Sequence, residues 1–468
     1  MAEMKENFSK GLKVLGGKYL LRVTDDHLCA YLVPTDEKVG PPDAEAMAQL
    51  KEFLKTKGIV FGLLEDPVWE EERLVLARGK PPENGKDAFL EWFVKYAPEE
   101  AGDKPRVDLR ERGLIRCVKE GQKIAKLHPP TPGIPGRDIF GQEIPPRPGQ
   151  ELTVKTNEWV AFNPEDHVFY ARKAGVLKVL PNQIAIEPEF FLNGDLNWDT
   201  GNIRFYGDKL SLSGDVKRGF RLEAEASTVE ILGNVEDETR IFVKGNLLIG
   251  GLLHGETSQL YCTGDARIGA IEYAKVKVDQ NLVVTDYVLQ ANLKVGKDLI
   301  CTEGIGAIVG GKVEAGGSIL VQMLGSRANV PTLVKAGFLR DLIRRIEEIK
   351  AKLTLLEEQK IPLIRSLRAA LPLIKAGQLP EEKIKVYEKI KEKLAQLLAQ
   401  ENALLKEEEE LLDRYAQIIK NKIVKVKKTV FAGVKIQIGL KTFTVAQDLP
   451  GGVFHILHHQ IKFSPFNR

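Results

Sequence analysis

His455, His458 and His459 crowd together near one end of the chain, and imidazole is a common zinc ligand. The first two stand three apart, however, and on a strand such positions point to opposite faces, so the spacing argues against a shared ion. Cys29, Cys117, Cys262 and Cys301 are far apart, with no Cys-x-x-Cys and no zinc spacing. Gly-rich turns can cradle phosphate, but Gly250-Gly251, Gly310-Gly311 and Gly316-Gly317 recur with a longer repeat and read as corners. Asp195, Asp208, Asp215, Asp265 and Asp298 follow Gly or Lys at similar places, where turn chemistry accounts for them. The chain has no Gly-x-Ser-x-Gly, no Gly-x-x-x-x-Gly-Lys-Ser/Thr and no His-Glu-x-x-His. No catalytic, cofactor-binding or metal-ligating residue is expected, and the chain reads as a non-enzyme.

The glycines and aspartates belong to a repeat between about Gly194 and Gly337. Its members are Leu210-Ser211-Leu212, Val229-Glu230-Ile231, Leu247-Leu248-Ile249, Ala266-Arg267-Ile268, Leu282-Val283-Val284, Leu299-Ile300-Cys301 and Ile319-Leu320-Val321, spaced 19, 18, 19, 16, 17 and 20 residues apart. Short period-2 strands at such intervals, with Gly, Asn or Asp between them, predict a β-solenoid whose inward side chains stack. An antiparallel β-sandwich is the alternative. Cys301 falls in the inward set. The outward middle residues are Ser211, Glu230, Leu248, Arg267, Val283, Ile300 and Leu320. The aliphatic stripe Leu248, Val283, Ile300 and Leu320 predicts a contact surface, with a homodimer through it as the leading expectation and cover by another part of the chain as the alternative.

At Phe338 the period changes. Leu339, Leu342, Ile346, Ile349, Leu353, Leu356, Leu363 and Leu367 follow a heptad seam, and Tyr387, Ile390, Leu394, Leu397, Leu404, Leu411, Tyr415 and Ile418 follow a second. Pro362 is expected to kink the helix or start a second segment. Ala376-Gly377-Gln378-Leu379-Pro380 turns the chain into an antiparallel hairpin. Afterwards Val424-Lys425-Val426, Val430 and Gly433-Val434-Lys435-Ile436 repeat the register of Leu210-Ser211-Leu212, Val216 and Gly219-Phe220-Arg221-Leu222. The coiled coil is therefore an insertion into the solenoid, and strands near Phe443–Val445 and Val453–Phe463 cap its open end.

Residues 1 to about 100 read as a small α/β unit. Strands fall between Lys18 and Val33, and a helix opens at Asp43 with Ala46, Leu50, Phe53 and Leu54 on one face. A second short helix is expected over Val68–Arg73 before a strand at Leu74–Ala77, with a turn or loop at Arg78–Pro82. Residues 105 to 190 alternate strand and turn around a stiff segment, His128–Gln150, in which six prolines fall within Pro129–Pro146. It is read either as a clasp across a small β-barrel or as a docking loop presenting Arg137, Asp138 and Arg147. The resulting fold class is mainly β with a long α-helical hairpin: 1–104 α/β, 105–190 β-rich with the signature loop, 191–337 solenoid, 338–421 coiled-coil hairpin, 422–468 returning rung and capping strands.

Composition excludes some functions. Net charge is only +3 over 468 residues, so no global field favours nucleic acid or membrane. No apolar run approaches the ~18 residues of a spanning helix. MAEMKENFSKGLKVLGG carries acidic residues and no apolar core, unlike a secretory signal, so a cytoplasmic location is expected. The run Lys420–Lys428 holds five lysines, but their alternation with Ile423, Val424 and Val426 suits the solvated face of a strand. Nucleic-acid binding is thus a minor alternative. A solenoid acyltransferase or polysaccharide-active enzyme is another; the former needs a strict six-residue period and the latter an acidic or basic cleft, and neither is found.

Several segments resemble the flagellar assembly protein A family, formerly a domain of unknown function. They are Ala77-Arg78-Gly79-Lys80-Pro81-Pro82, Val107-Asp108-Leu109-Arg110-Glu111, Asn193-Gly194-Asp195-Leu196, Thr200-Gly201-Asn202-Ile203 and Val309-Gly310-Gly311-Lys312-Val313. Most specific is the signature loop, with Pro130, Pro132, Gly133, Pro135, Gly136, Arg137, Gly141, Pro145, Pro146, Pro148 and Gly149. Glu83-Asn84-Gly85-Lys86-Asp87 departs from the family's usual style. The resemblance implies a cytoplasmic, non-enzymatic protein with a right-handed β-solenoid similar to those of bactofilin and the MinC C-terminal domain. It also implies protein partners and a role in flagellar assembly, polar placement or related signalling, with no catalytic residues.

Overall fold

The computed structural model describes residues 8, 11–36, 39–94, 110–111, 115–376, 378, 380–458 and 460–466. Val107, Asp108, Leu109, Gly377, Leu379 and His459 lie outside them. The chain folds as two compact units, one of Met1–Lys95, Gly121–Arg172 and Val179–Ala185, the other of Tyr96–Glu120, Lys173–Lys178 and Ile186–Arg468. Among the described residues no helix is long and apolar enough to cross a membrane.

The first unit holds an antiparallel sheet in the spatial order Leu12–Val14, Tyr19–Val23, Cys29–Pro34, Arg73–Arg78, Leu63–Glu70. Helix α1, Ala44–Thr56, starts where Asp43 Oδ1 accepts from the Ala46 N–H at 2.8 Å and stops at Gly58, whose φ of +85° suits glycine. Its Leu50 and Leu54 are buried in one cluster with Leu21, Leu32 and Leu76. The helix expected over Val68–Arg73 does not form. Val68 pairs with Val75, Trp69 with Leu74 and Glu70 with Arg73, and Glu71 (φ +55°) makes the turn. Cross-strand pairing with the apolar run Leu74–Ala77 outweighs the local helical tendency. A second antiparallel sheet orders Val160–Asn163, Val168–Ala171, Lys123–His128 and Phe89–Trp92.

In the second unit the repeat stacks in parallel register. Phe190 pairs with Leu210, Leu210 with Val229, Val229 with Leu247, Leu247 with Ala266, Ala266 with Leu282, Leu282 with Leu299, Leu299 with Ile319, and Ile319 with Val424. These pairings mark eight turns and add a first layer at Phe190. Every inward position of the repeat from Leu210 to Val321 is buried, Cys301 included. A sandwich would show antiparallel partners here; the parallel ladder is that of a solenoid.

Side chains also tie the corners of successive turns. Asp195 Oδ1 accepts from the Asp215 N–H at 2.7 Å, Asp215 Oδ1 from Asn234 at 2.7 Å and Asn234 Oδ1 from Leu252 at 2.8 Å. A second ladder runs Asn246, Asp265, Asn281, Asp298, Ser318, and its last oxygen accepts from the Ile423 N–H at 3.2 Å. The aspartates thus act between turns, not within one as turn chemistry alone implied. Asp208 stands apart and pairs with Lys173. Glycines keep room for these oxygens. A Cβ on Gly264 would lie 2.5 Å from Asn246 Oδ1, and one on Gly317 would fall inside the contact distance of Asp298 Oδ1.

The hairpin leaves and rejoins this stack. Helix α2 spans Arg340–Lys375 and helix α3 spans Glu381–Ile419, about 54 and 58 Å at ~1.5 Å per residue. Pro362 starts no second segment; α2 runs through it and through Pro372. The strand before the hairpin, Thr332–Ala336, pairs with Lys435–Ile438 after it. At the root, the buried Tyr415 hydroxyl donates to the Gly337 carbonyl at 3.1 Å. Glu314, 4% exposed, lies within salt-bridge reach of Lys312, Lys335 and Arg340. Burial pushes its carboxyl up, but the hydrogen bonds and charges of Lys312 and Lys335 together hold it below the usual carboxylate range. Beyond the last turn the strands become antiparallel: Lys441–Thr444 on Lys435–Ile438, Leu449–Leu457 on Val424–Val430, Gln460–Pro465 on Leu449–Leu457. Phe454, between Phe443 and Phe463, covers the end of the core.

Candidate interaction surfaces

The signature loop is laced to the segment from Gly79 to Ala88. Lys80 and Arg137 exchange both backbone hydrogen bonds at 2.8 Å, as do Glu83 and Ile134 at 2.8–2.9 Å. Thr131 donates to Lys86, and Gly85 donates to Arg147. Asn84 and Asp87 accept from the Arg147 and Gln150 amides at 3.1 and 2.8 Å, so the departing residues Glu83–Asp87 hold the loop. A Cβ at Gly133 would lie 2.6 Å from the Glu83 carbonyl, and those at Gly136, Gly149 and Gly85 would meet Lys80, Lys86 and Thr131 carbonyls. Prolines give up donors where none is needed; glycines allow two backbones to touch. Gly141 closes a turn at φ +81°. Asp138 is not presented to solvent: it is 4% exposed and accepts from the Phe140 and Gln142 amides. Next to it Ile139 is fully buried in the α1 cluster. Arg137 is exposed, its guanidinium over Phe61.

The outward column of the solenoid is continuous: Ser211, Glu230, Leu248, Arg267, Val283, Ile300, Leu320 and Lys425 are successive register partners. Leu248, Val283, Ile300 and Leu320 are half-buried. Arg267, ion-paired to Glu303 at 2.8 Å, separates Leu248 from the rest, so the uninterrupted apolar part is Val283–Ile300–Leu320.

The side chains with ligating or nucleophilic potential are dispersed. His455 lies in a strand and His458 at its turn, with φ +50°. Among the described residues no group of His, Cys, Asp or Glu could hold a metal ion. Each glycine pair has an amide already engaged: Gly251 donates to Gly233, Gly316 to Val295, Gly317 to Lys297, and Gly310 to Thr332 Oγ1. Burial pushes the Cys262 thiol up to about 11 and that of Cys301 to about 12, which keeps both unreactive. Sequence reasoning missed two features. Arg110, from the family segment around 107–111, lies over Trp198 and Phe220 and donates to the Gly219 carbonyl at 2.9 Å, closing the first turns. Glu314 at the root could have been suspected as an acid flanked by Val313 and Ala315 in an inward strand.

Comparisons with known proteins agree with this architecture. The family model described as the Flagellar Assembly Protein A beta solenoid domain matches residues 188–461, and that of the Flagellar Assembly Protein A N-terminal region matches residues 19–182. No curated protein and no solved structure gives a significant match. The family is not a known enzyme family, and its name ties it to the flagellum. With both models matching and nearly all of the sequence covered, the chain belongs to the flagellar assembly protein A family.

Proposed function

We propose that this protein is a non-enzymatic cytoplasmic scaffold in flagellar assembly, polar placement or related signalling. The carrying observation is the arm's attachment: Ile319 and Val424 are register partners although the whole hairpin lies between them. An arm fixed at both ends to an eight-turn platform can hold partners at set positions, and such rigidity suits docking more than turnover. The N-terminal segments 1–104 and 105–190 serve for docking, with the signature loop as an internal clasp. Two copies associate through Val283, Ile300 and Leu320. Replacing the arm by a short linker in the host bacterium should reduce or misplace flagella while the protein stays folded; normal flagellation would refute the scaffold role. Val283→Glu with Ile300→Glu should halve the solution mass by light scattering, and an unchanged mass would refute dimerisation through this stripe.

A further inference from the structure

A second face of the solenoid departs from the charge pattern seen elsewhere on it. Neighbouring turns generally place opposite charges in contact: Arg204 with Glu223 at 3.2 Å, Lys244 with Glu225 at 3.0 Å, Lys209 with Glu230 at 2.9 Å, Lys217 with Glu236 at 3.1 Å. On this face, however, Arg221 is the register partner of Arg240, and in the adjacent column Lys277 is the partner of Lys294, before Glu314 follows in the next turn. Like charges directly opposite one another destabilise a sheet. Among the described residues Arg221, Arg240, Lys275 and Lys294 have no carboxylate within salt-bridge reach, whereas the nearby acids are taken. Glu223 pairs with Arg204, Asp279 with Lys277, and Glu314 with its three cations.

These cations line a groove of about 740 Å³, to which Arg340 at the start of α2 and one carboxylate, the Glu223 paired to Arg204, also contribute. It crosses the strands of five successive turns, a length of about 19 Å at ~4.8 Å per strand. Between the cations lie Phe242 and Tyr261, ring centroids 5.3 Å apart and tilted by 54°. We propose that this groove binds an extended acidic segment of a partner protein, carboxylates on the four unpaired cations and an apolar side chain against Phe242. An extended peptide presents same-face residues every ~6.8 Å, so the groove takes about three of them, in the order acid–apolar–acid. Single-stranded nucleic acid fits less well. Base stacking needs an open ring face, but Lys277 covers Tyr261 at 4.1 Å and the two rings pack against each other at an angle. The groove is independent of the Val283–Ile300–Leu320 column, and dimerisation is not required for it.

The test uses the full chain and a fluorescein-labelled peptide of glutamates interrupted by phenylalanine, read by anisotropy, with an oligothymidylate of equal charge as competitor. Binding should weaken steeply with salt and at least tenfold in the Arg240→Glu, Lys275→Glu double variant, whose melting temperature should not fall, because Arg240→Glu removes the like-charge pair with Arg221 and position 275 faces only Gln259 and Asn292. Arg240→Lys with Lys275→Arg should bind as the parent does. Lys425→Glu, on the other column, should leave affinity unchanged. No peptide binding at low salt, equal loss in Lys425→Glu, undiminished binding in the double variant, or preference for the oligothymidylate would each overturn the proposal.

Discussion

The solenoid interior and the coiled-coil arm solve the same burial problem differently. An inward side chain of the solenoid has a like neighbour in the turn above, another in the turn below, and the opposite walls around it. Ile268, Leu282, Leu299 and Ile319 are all at 0% exposure. In the arm each helix has one partner. Buried side chains there are Ile343, Ile346, Ile349, Leu397 and Tyr415, four of the five near the root, while Leu355, Ile361, Leu371 and Val386 stay exposed. A two-helix pair can cover only one stripe per helix, so the arm relies on its anchorage more than on its own core. Stability should therefore be unequally shared, with the platform highest and the arm's far end lowest.

The largest effect should come from a charge placed inside the stack. Ile268→Asp buries an unpaired carboxylate and should remove the main unfolding transition or lower stability by more than about 4 kcal/mol, measured by chemical denaturation. Leu356→Asp, on the half-exposed arm seam, should cost well under half as much. Equal losses would show that the arm and platform unfold as one unit. Next come the corner ladders. Asp298→Ala leaves the Ser318 amide without its acceptor and should cost about 1–3 kcal/mol in the same assay, and Gly317→Ala, which forces a methyl group onto that carboxylate, a similar amount.

A smaller effect is expected at the root. The Glu314 carboxyl is held below its unfolded value, so its contribution is fully present above the ordinary carboxylate range and is lost as pH falls through the lowered folded value. Hydrogen exchange in the first turns of α2 should accelerate below about pH 4, and the acid-induced change should vanish in Glu314→Gln. Least affected should be the solenoid when the arm is removed. Because Ile319 pairs directly with Val424, joining the strands by a short linker in place of residues 340–419 should delete the helical dichroism signal and move the β-sheet melting transition by only a few degrees. A large drop would mean that the arm supports the platform.

Much of this architecture is legible in residue order. The spacing of Leu210, Val229, Leu247, Ala266, Leu282, Leu299 and Ile319 matches the observed register residue for residue, and Val424 takes the next place as its local pattern requires. Repeat and heptad are local periodicities, and each follows from a geometry of fixed residues per turn or per strand. The hairpin at Leu63–Arg78 is not legible in the same way, because a short apolar run is compatible with helix or strand until a partner strand is present.

What lies beyond the sequence depends on which turns become neighbours. Asp195 and Asp298 each bond an amide of the following turn, Gly317 faces Asp298, and Gly133 comes close to the Glu83 carbonyl. All of these are facts of stacking and threading. The basic groove has the same origin. Arg221, Arg240, Lys275 and Lys294 are scattered through more than seventy residues of an almost neutral chain and become one surface only when their turns stack. Periodicity reports which way a side chain points along its own strand. Which charges and amides it then meets is set by the neighbouring turn, and that is decided by the closed fold.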